Sequence, residues 1–153
     1  MKTIASFTVN HDVLDRGLYV SRIDGDVISY DLRMKKPNGG DYLHIGAMHT
    51  LEHLLATFFR NSPRGKDVVY VGPMGCRTGF YLLLRDTVCR KEVIELTKEG
   101  LAFAAAFEGE IPGNKRWECG NYLEHDLPKA KEEAAKMLEV LQNWSEEKMD
   151  YAQ

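Results

Sequence analysis

The chain predicts an α+β domain in which an antiparallel sheet is covered by helices on one face, and three observations carry that reading. Segments rich in β-branched and aromatic residues arrive as hairpins, longer stretches with helical apolar periodicity lie between and after them, and glycine and proline punctuate the joins. Hairpin-joined strands pair antiparallel, and such a sheet buries one face under helices while the other faces outward.

The elements follow in order. Residues 3–8, 17–23 and 27–35 have strand composition, with Asp24-Gly25 as the turn between the second and third. Pro37-Asn38-Gly39-Gly40 ends the third strand, and a loop through Tyr42, His44 and Gly46 leads into a helix over residues 48–60. Residues 68–71 and 79–84 are two more strands, joined by Gly72-Pro73-Met74-Gly75-Cys76-Arg77-Thr78, a turn that holds Cys76 at a strand edge. A second helix is expected from near Thr87 to Phe107, with Val93, Leu96, Gly100, Phe103 and Phe107 on one stripe. A third runs from near Leu127 to Trp144, capped by Asp126, with Pro128 in its first turn and Ala134, Met137, Leu138, Leu141 and Trp144 facing inward.

With 153 residues, the whole chain, 1–153, is expected to form one domain whose core needs no disulfide staples. A net charge of -3 with interleaved signs gives no basic face for nucleic acid, so a small ligand is the expected partner. No segment has the apolar length of a membrane span or the pattern of a cleaved leader, and a cytoplasmic location is expected. Cys76, Cys89 and Cys119 are odd in number, which favours thiols with ligand or redox roles over a disulfide framework.

The first helix carries the chemistry. At about 100° per residue, His53 lies about 40° around the axis from His49, and Glu52 about 60° to the other side. Leu51, Leu54, Leu55 and Phe58 point away. Two imidazoles one turn apart can share one divalent ion, and a carboxylate beside them that is not needed as a ligand can move protons. His-x-x-Glu-His also matches the inverzincin metallopeptidases, and by itself it fits two solvated surface histidines equally well. A third ligand would decide. Cys119, followed by Gly120 just before the last helix, is a candidate, with Glu124 and His125 as rivals nearby.

Through His49-Thr50-Leu51-Glu52-His53-Leu54-Leu55-Ala56, Gly72-Pro73-Met74-Gly75-Cys76-Arg77-Thr78-Gly79-Phe80-Tyr81 and Glu118-Cys119-Gly120, the chain resembles the S-ribosylhomocysteine lyase (LuxS) family. The likeness begins at Ser6-Phe7 and His11, passes through Tyr30-Asp31-Leu32-Arg33 and Pro37-Asn38, and reaches the last helix. The resemblance implies a homodimer with active sites at the subunit interface, each holding one Fe2+ that Zn2+ or Co2+ can replace. It implies cleavage of S-ribosylhomocysteine to homocysteine and 4,5-dihydroxy-2,3-pentanedione, the precursor of autoinducer-2. It assigns the metal to His49, His53 and Cys119 with a fourth position open, proton transfer to Glu52 and Cys76, and the substrate pocket to Ser6, His11 and Arg33. His44, Cys89 and His125 are read as residues without a chemical role.

One motif departs from the family pattern. Where many members carry Asp-x-Ser-Pro-Met-Gly-Cys, this chain has Tyr70-Val71-Gly72-Pro73-Met74-Gly75-Cys76, so a pocket carboxylate is replaced by a phenol. Residues 12–17 also lack the usual proline and early basic residue. Two rival readings stand beside the lyase. One is a metallopeptidase that uses Glu52 to activate water, which would need a downstream carboxylate ligand such as Glu132 or Glu133. The other is a metal-stabilised binding module whose coordination is filled by protein.

Overall fold

The computed structural model of the protein describes residues 1–152. Strands β1 (Gly17–Asp24) and β2 (Val27–Arg33) form a hairpin around Gly25, whose φ of 60° suits glycine in a two-residue loop. Helix α1 (Ile45–Asn61) follows, then β3 (Val68–Pro73), β4 (Gly79–Arg85), α2 (Arg90–Ala106) and α3 (Leu127–Val140). The strands pair antiparallel throughout in the order β1-β2-β4-β3. The expected α+β architecture is what the chain adopts.

Strand alternation divides the sheet into two faces. Leu18, Tyr30, Leu32, Phe80, Leu82 and Leu84 point into one core with the buried sides of the helices. Into that core α1 sends Leu51, Leu54, Leu55 and Phe59, α2 sends Val93, Leu101 and Ala104, and α3 sends Ala130, Ala134 and Met137. A bulge in β3, where Val68 pairs with Leu84 but Tyr70 with Leu83, keeps both Val68 and Val71 in the core. It leaves Tyr70 exposed. The outward face bears Ser21, Ser29, Tyr70, Tyr81 and Leu83.

Several boundaries differ from the sequence reading. Residues 3–8 do not form a strand: Ala5–Phe7 is a 3₁₀ turn, closed because the Thr8 hydroxyl and amide both donate to the Ala5 carbonyl, at 2.7 and 3.0 Å. A strand needs a partner edge, and this segment pairs with neither β1 nor β3. Helix α1 begins at Ile45, three residues earlier than expected, because His44 caps it by accepting from the Ala47 amide. Helix α2 begins at Arg90 with Cys89 at its cap position. Helix α3 stops at Val140, and Trp144 instead reaches back to donate from its indole to the Leu18 carbonyl at 2.8 Å.

Leu54 is fully buried between the two candidate ligands' helix turn and the core, on the side of α1 away from His49 and His53. Leu54→Ala is expected to lower stability by about 2–5 kcal/mol through lost burial and the cavity left behind, read from urea denaturation of the metal-free protein.

Candidate metal centre

One face of α1 carries His49 and His53, with ring centroids 4.7 Å apart. Each ring is oriented by a backbone carbonyl of the loop between α2 and α3. His49 Nδ1 is 2.8 Å from the Glu124 carbonyl, and His53 Nδ1 is 2.7 Å from that of Pro112. A carbonyl only accepts, so both Nδ1 atoms carry the proton and both Nε2 lone pairs are free for a metal. Gly113, at φ 70°, lets the loop come this close, since a side chain there would press on the His53 ring.

The same loop brings Cys119 Sγ to 3.4 Å from His49 Nε2. It also brings His125, which the sequence offers as a rival to Cys119 but otherwise reads as a loop residue, into the cluster. The His125 ring stacks on His49 at 4.0 Å between centroids and meets His53 edge-on at 4.8 Å. Ligand atoms of His49, His53, Cys119 and His125 all lie within 4.8 Å of one another. This His-His-Cys-His site suits a divalent metal, because one thiol and oriented imidazoles are the donors of a borderline cation. A buried polar atom supports the fit: His125 Nε2 has no hydrogen-bond partner in the protein. The cue for His125 was its place six residues after Cys119 and next to the α3 cap Asp126.

Glu52 does not join the cluster. It lines a cleft beside it with His53, Tyr70, Pro112 and Gly113. Ser6 lines a second depression, on the open face of the sheet, with Ser29, Tyr70 and Tyr81. Tyr70 borders both clefts. Its ring lies over Gly72, filling the space that a side chain at that position would take. The phenol and the glycine of the departing motif are therefore one steric unit.

Cys76 belongs to a third group, at the turn between β3 and β4. Its Sγ is 3.0 Å from Thr78 Oγ1, which accepts from Arg33 Nη1 at 2.8 Å. Arg33 is donor-only, so Thr78 accepts from it, and the same hydroxyl shares one proton-bearing contact with Cys76, linking a cation to the sulfur through one side chain. Arg33 is buried and forms a two-pronged pair with Asp31 at 2.7 and 3.1 Å. Burial opposes its charge, yet the hydrogen bond and charge of Asp31 outweigh it and keep the guanidinium above its ordinary range. Tyr151 closes this network by donating to Asp31 at 2.7 Å. His11 is separate: its Nδ1 is 2.8 Å from the Val9 carbonyl. Cys89 is exposed at the start of α2 and 3.8 Å from Glu92. His44 acts as the α1 cap.

The profile of the S-Ribosylhomocysteinase (LuxS) family matches residues 4–148. The chain belongs to this family. It is 50% identical to the S-ribosylhomocysteine lyase of Phocaeicola vulgatus, over 99% of this chain and 98% of the relative. Identity is 48% to the S-ribosylhomocysteine lyase of Desulfotalea psychrophila and 46% to that of Clostridium acetobutylicum, each over 99% of both chains. Among the described residues, no helix is long and apolar enough to cross a membrane.

Desolvation, followed by the charges of His49 and His53, pushes the His125 imidazole down to about 4. The folded, metal-free protein therefore binds fewer protons here than the unfolded chain between about pH 4 and the ordinary histidine value of about 6.5. Stability from this residue is fully present above that window and is lost as pH falls through it. An NMR titration of the His125 ring protons, run beside denaturation of the metal-free protein, should show this ring protonating well below the ordinary histidine value as stability declines.

Proposed function

We propose that this chain cleaves S-ribosylhomocysteine to homocysteine and 4,5-dihydroxy-2,3-pentanedione, with His49, His53 and Cys119 as metal ligands and Glu52 and Cys76 as proton carriers. The single observation that carries the reading is the convergence of the α1 histidines and Cys119 on one point, in a chain of this family, with Glu52 free beside them. Residues 1–153 act as one catalytic unit.

The chemistry follows from the substrate. The thioether lies at the far end of the ribose from the latent aldehyde, so the carbonyl must migrate along the sugar before homocysteine can leave by β-elimination. Each migration removes a proton from a carbon beside a carbonyl and returns one to its neighbour. A divalent metal, when bound, supplies Lewis-acid stabilisation of the charge that develops on oxygen. Glu52, unshared with any ligand role, takes protons from the carbons beside the carbonyl of the ring-opened sugar and returns them to the neighbouring carbon. Cys76 serves as the second proton carrier, and Thr78 and Arg33 steady its sulfur when the proton is away. Ser6, His11 and Arg33 are the substrate-pocket residues in this reading, and Tyr70 offers a hydroxyl where many relatives have a carboxylate. No change in metal oxidation state is required.

The ion is Fe2+ in this proposal, with Zn2+ or Co2+ as working replacements. We further infer a homodimer whose second copy packs on the open face of the sheet. Ile4, Phe7, Ile23 and Tyr70 are exposed apolar surface, while Ser6, Glu52 and Cys76 belong to separate clefts and turns of one chain. A second copy would enclose them in one site. The product is the autoinducer-2 precursor, and homocysteine returns to the methyl cycle, in a cytoplasmic setting.

The metallopeptidase reading asks for a carboxylate as third ligand. Glu133 instead pairs with Lys35 at 3.0 Å, and the third donor beside the histidines is a thiol. Cys119→Ser is expected to weaken cobalt binding by at least the about 10–100-fold that loss of an outer partner costs, measured by chelator competition. A carboxylate-ligated peptidase would retain its cobalt.

Glu52→Gln should keep fold and metal and lower turnover by about 10²–10⁴, the usual contribution of a positioned acid-base group. The assay is thiol release, followed with a chromogenic disulfide reagent, from anaerobic iron-loaded protein given S-ribosylhomocysteine. Full turnover by Glu52→Gln would remove it from the mechanism, and silence of the metallated parent would refute the lyase reading.

A further inference from the structure

The last residues of the chain form a strap that ends on the buried ion pair behind Cys76. The Trp144 indole donates to the Leu18 carbonyl of β1 at 2.8 Å, and its ring meets Tyr19 edge-on at 5.6 Å. Met149 is fully buried in the core, and Asp150 pairs with Arg90 of α2 at 3.1 Å. Tyr151 completes the strap. Its ring stacks on that of Tyr19, with centroids 5.2 Å apart and planes 27° from parallel, and its hydroxyl donates to Asp31 Oδ2 at 2.7 Å.

Asp31 is fully shut off from solvent and Arg33 nearly so. Arg33 directs Nε and Nη2 to the two carboxylate oxygens and Nη1 to the Thr78 hydroxyl at 2.8 Å. A carboxylate shielded from bulk solvent and met by a single guanidinium draws that group onto itself, because nothing else shares its charge. The Tyr151 hydroxyl is the further donor. It takes up part of the Asp31 charge and leaves Nη1 turned to Thr78. The Thr78 oxygen accepts from Arg33, and the Cys76 sulfur lies 3.0 Å away from it. An ionised sulfur only accepts, so the Thr78 proton turns to it when Cys76 has lost its own.

We propose that Tyr151 is a positioning residue for Cys76: its hydroxyl holds Asp31 so that Arg33 keeps Nη1 on Thr78, and Thr78 in turn supports the ionised sulfur. The role in turnover rests on the reading of Cys76 as a proton carrier. The effect on the sulfur does not. Tyr151 suits the part because burial, and then the charge of Asp31, hold its hydroxyl well above the ordinary tyrosine range, so it donates throughout the neutral range. The other ionisable groups near the sulfur leave this place to Tyr151. Tyr81 of β4, close to the charges of Asp31, Arg33 and Cys76, is likewise kept neutral by burial. Arg77, in the turn itself, directs its guanidinium to the Leu43 carbonyl at 3.3 Å.

The test follows the rate of Cys76 alkylation by iodoacetamide against pH in the full-length zinc-loaded protein, with peptide mass spectrometry separating Cys76 from Cys89 and Cys119. Tyr151→Phe keeps the ring stack and loses the hydroxyl. It is expected to raise the midpoint of Cys76 reactivity by up to about one pH unit, the scale of one hydrogen bond, with little change in melting temperature. Thr78→Val, which cuts the last link, should raise it at least as far. A fluorotyrosine in place of Tyr151, whose more acidic hydroxyl donates more strongly, should lower the midpoint without removing a contact. A tail that serves stability alone would change the melting temperature and leave the midpoint where it is in both Tyr151 replacements, and that result would overturn the proposal. In iron-loaded protein given S-ribosylhomocysteine, Tyr151→Phe should lower kcat at neutral pH by up to about tenfold, with KM little changed, and regain it as pH rises. A loss of kcat that higher pH does not restore would sink the positioning role in turnover. A parent whose Cys76 midpoint responds to Tyr151 yet releases no thiol would refute the lyase reading and leave the effect on the sulfur standing.

Discussion

The burial of one side of α1 is the constraint on which the chemistry depends. Leu51, Leu54, Leu55 and Phe59 are fully excluded from solvent, so the helix cannot rotate about its axis without exposing them. Because side chains repeat every 3.6 residues, fixing that apolar stripe also fixes where His49, Glu52 and His53 point. The metal face is a consequence of hydrophobic packing rather than of attraction between the ligands. Three imidazoles and a thiol gathered without an ion gain little from one another, and the helix holds two of them there regardless.

The second half of the centre comes from the long loop between α2 and α3, which supplies ligand and scaffold at once. It has little regular structure, yet its carbonyls at Pro112 and Glu124 orient the helix histidines, while its own Cys119 and His125 complete the group. Asp126 ties the end of this loop to α1 twice, donating from its amide to Gly46 and to Thr50, and also caps α3. One residue thus couples the start of the last helix to the metal face of the first. A loop anchored this way can carry chemistry with the precision that metal binding and proton transfer need.

On the other side of the molecule, the buried Asp31-Arg33 pair serves a different purpose. An ion pair shielded from water is costly to form, and this one holds Thr78, and through Thr78 the sulfur of Cys76. Tyr70 borders both the cleft beside Glu52 and the depression that holds Ser6. Its ring needs Gly72 beneath it, because any side chain at that position would run into the phenol.

Much was determined by the amino-acid order alone. Hairpin turns, apolar periods and the Asp126-Pro128 start of α3 encode the α+β fold, because these are local preferences of backbone and side chain. His49, Glu52 and His53 were legible as a chemical face for the same reason, since helical spacing is a property of neighbours in sequence. Only tertiary structure decided that residues 3–8 are not a strand: the segment pairs with neither edge of the sheet and closes a 3₁₀ turn through Thr8 instead. It alone brought His125 beside His49, 76 positions earlier in the chain, through a loop whose path no local pattern encodes. It alone set Thr50 against His125 and Thr78 between Arg33 and Cys76. Those contacts join residues distant in sequence, and a hydroxyl's role depends on which donors and acceptors folding places within its reach.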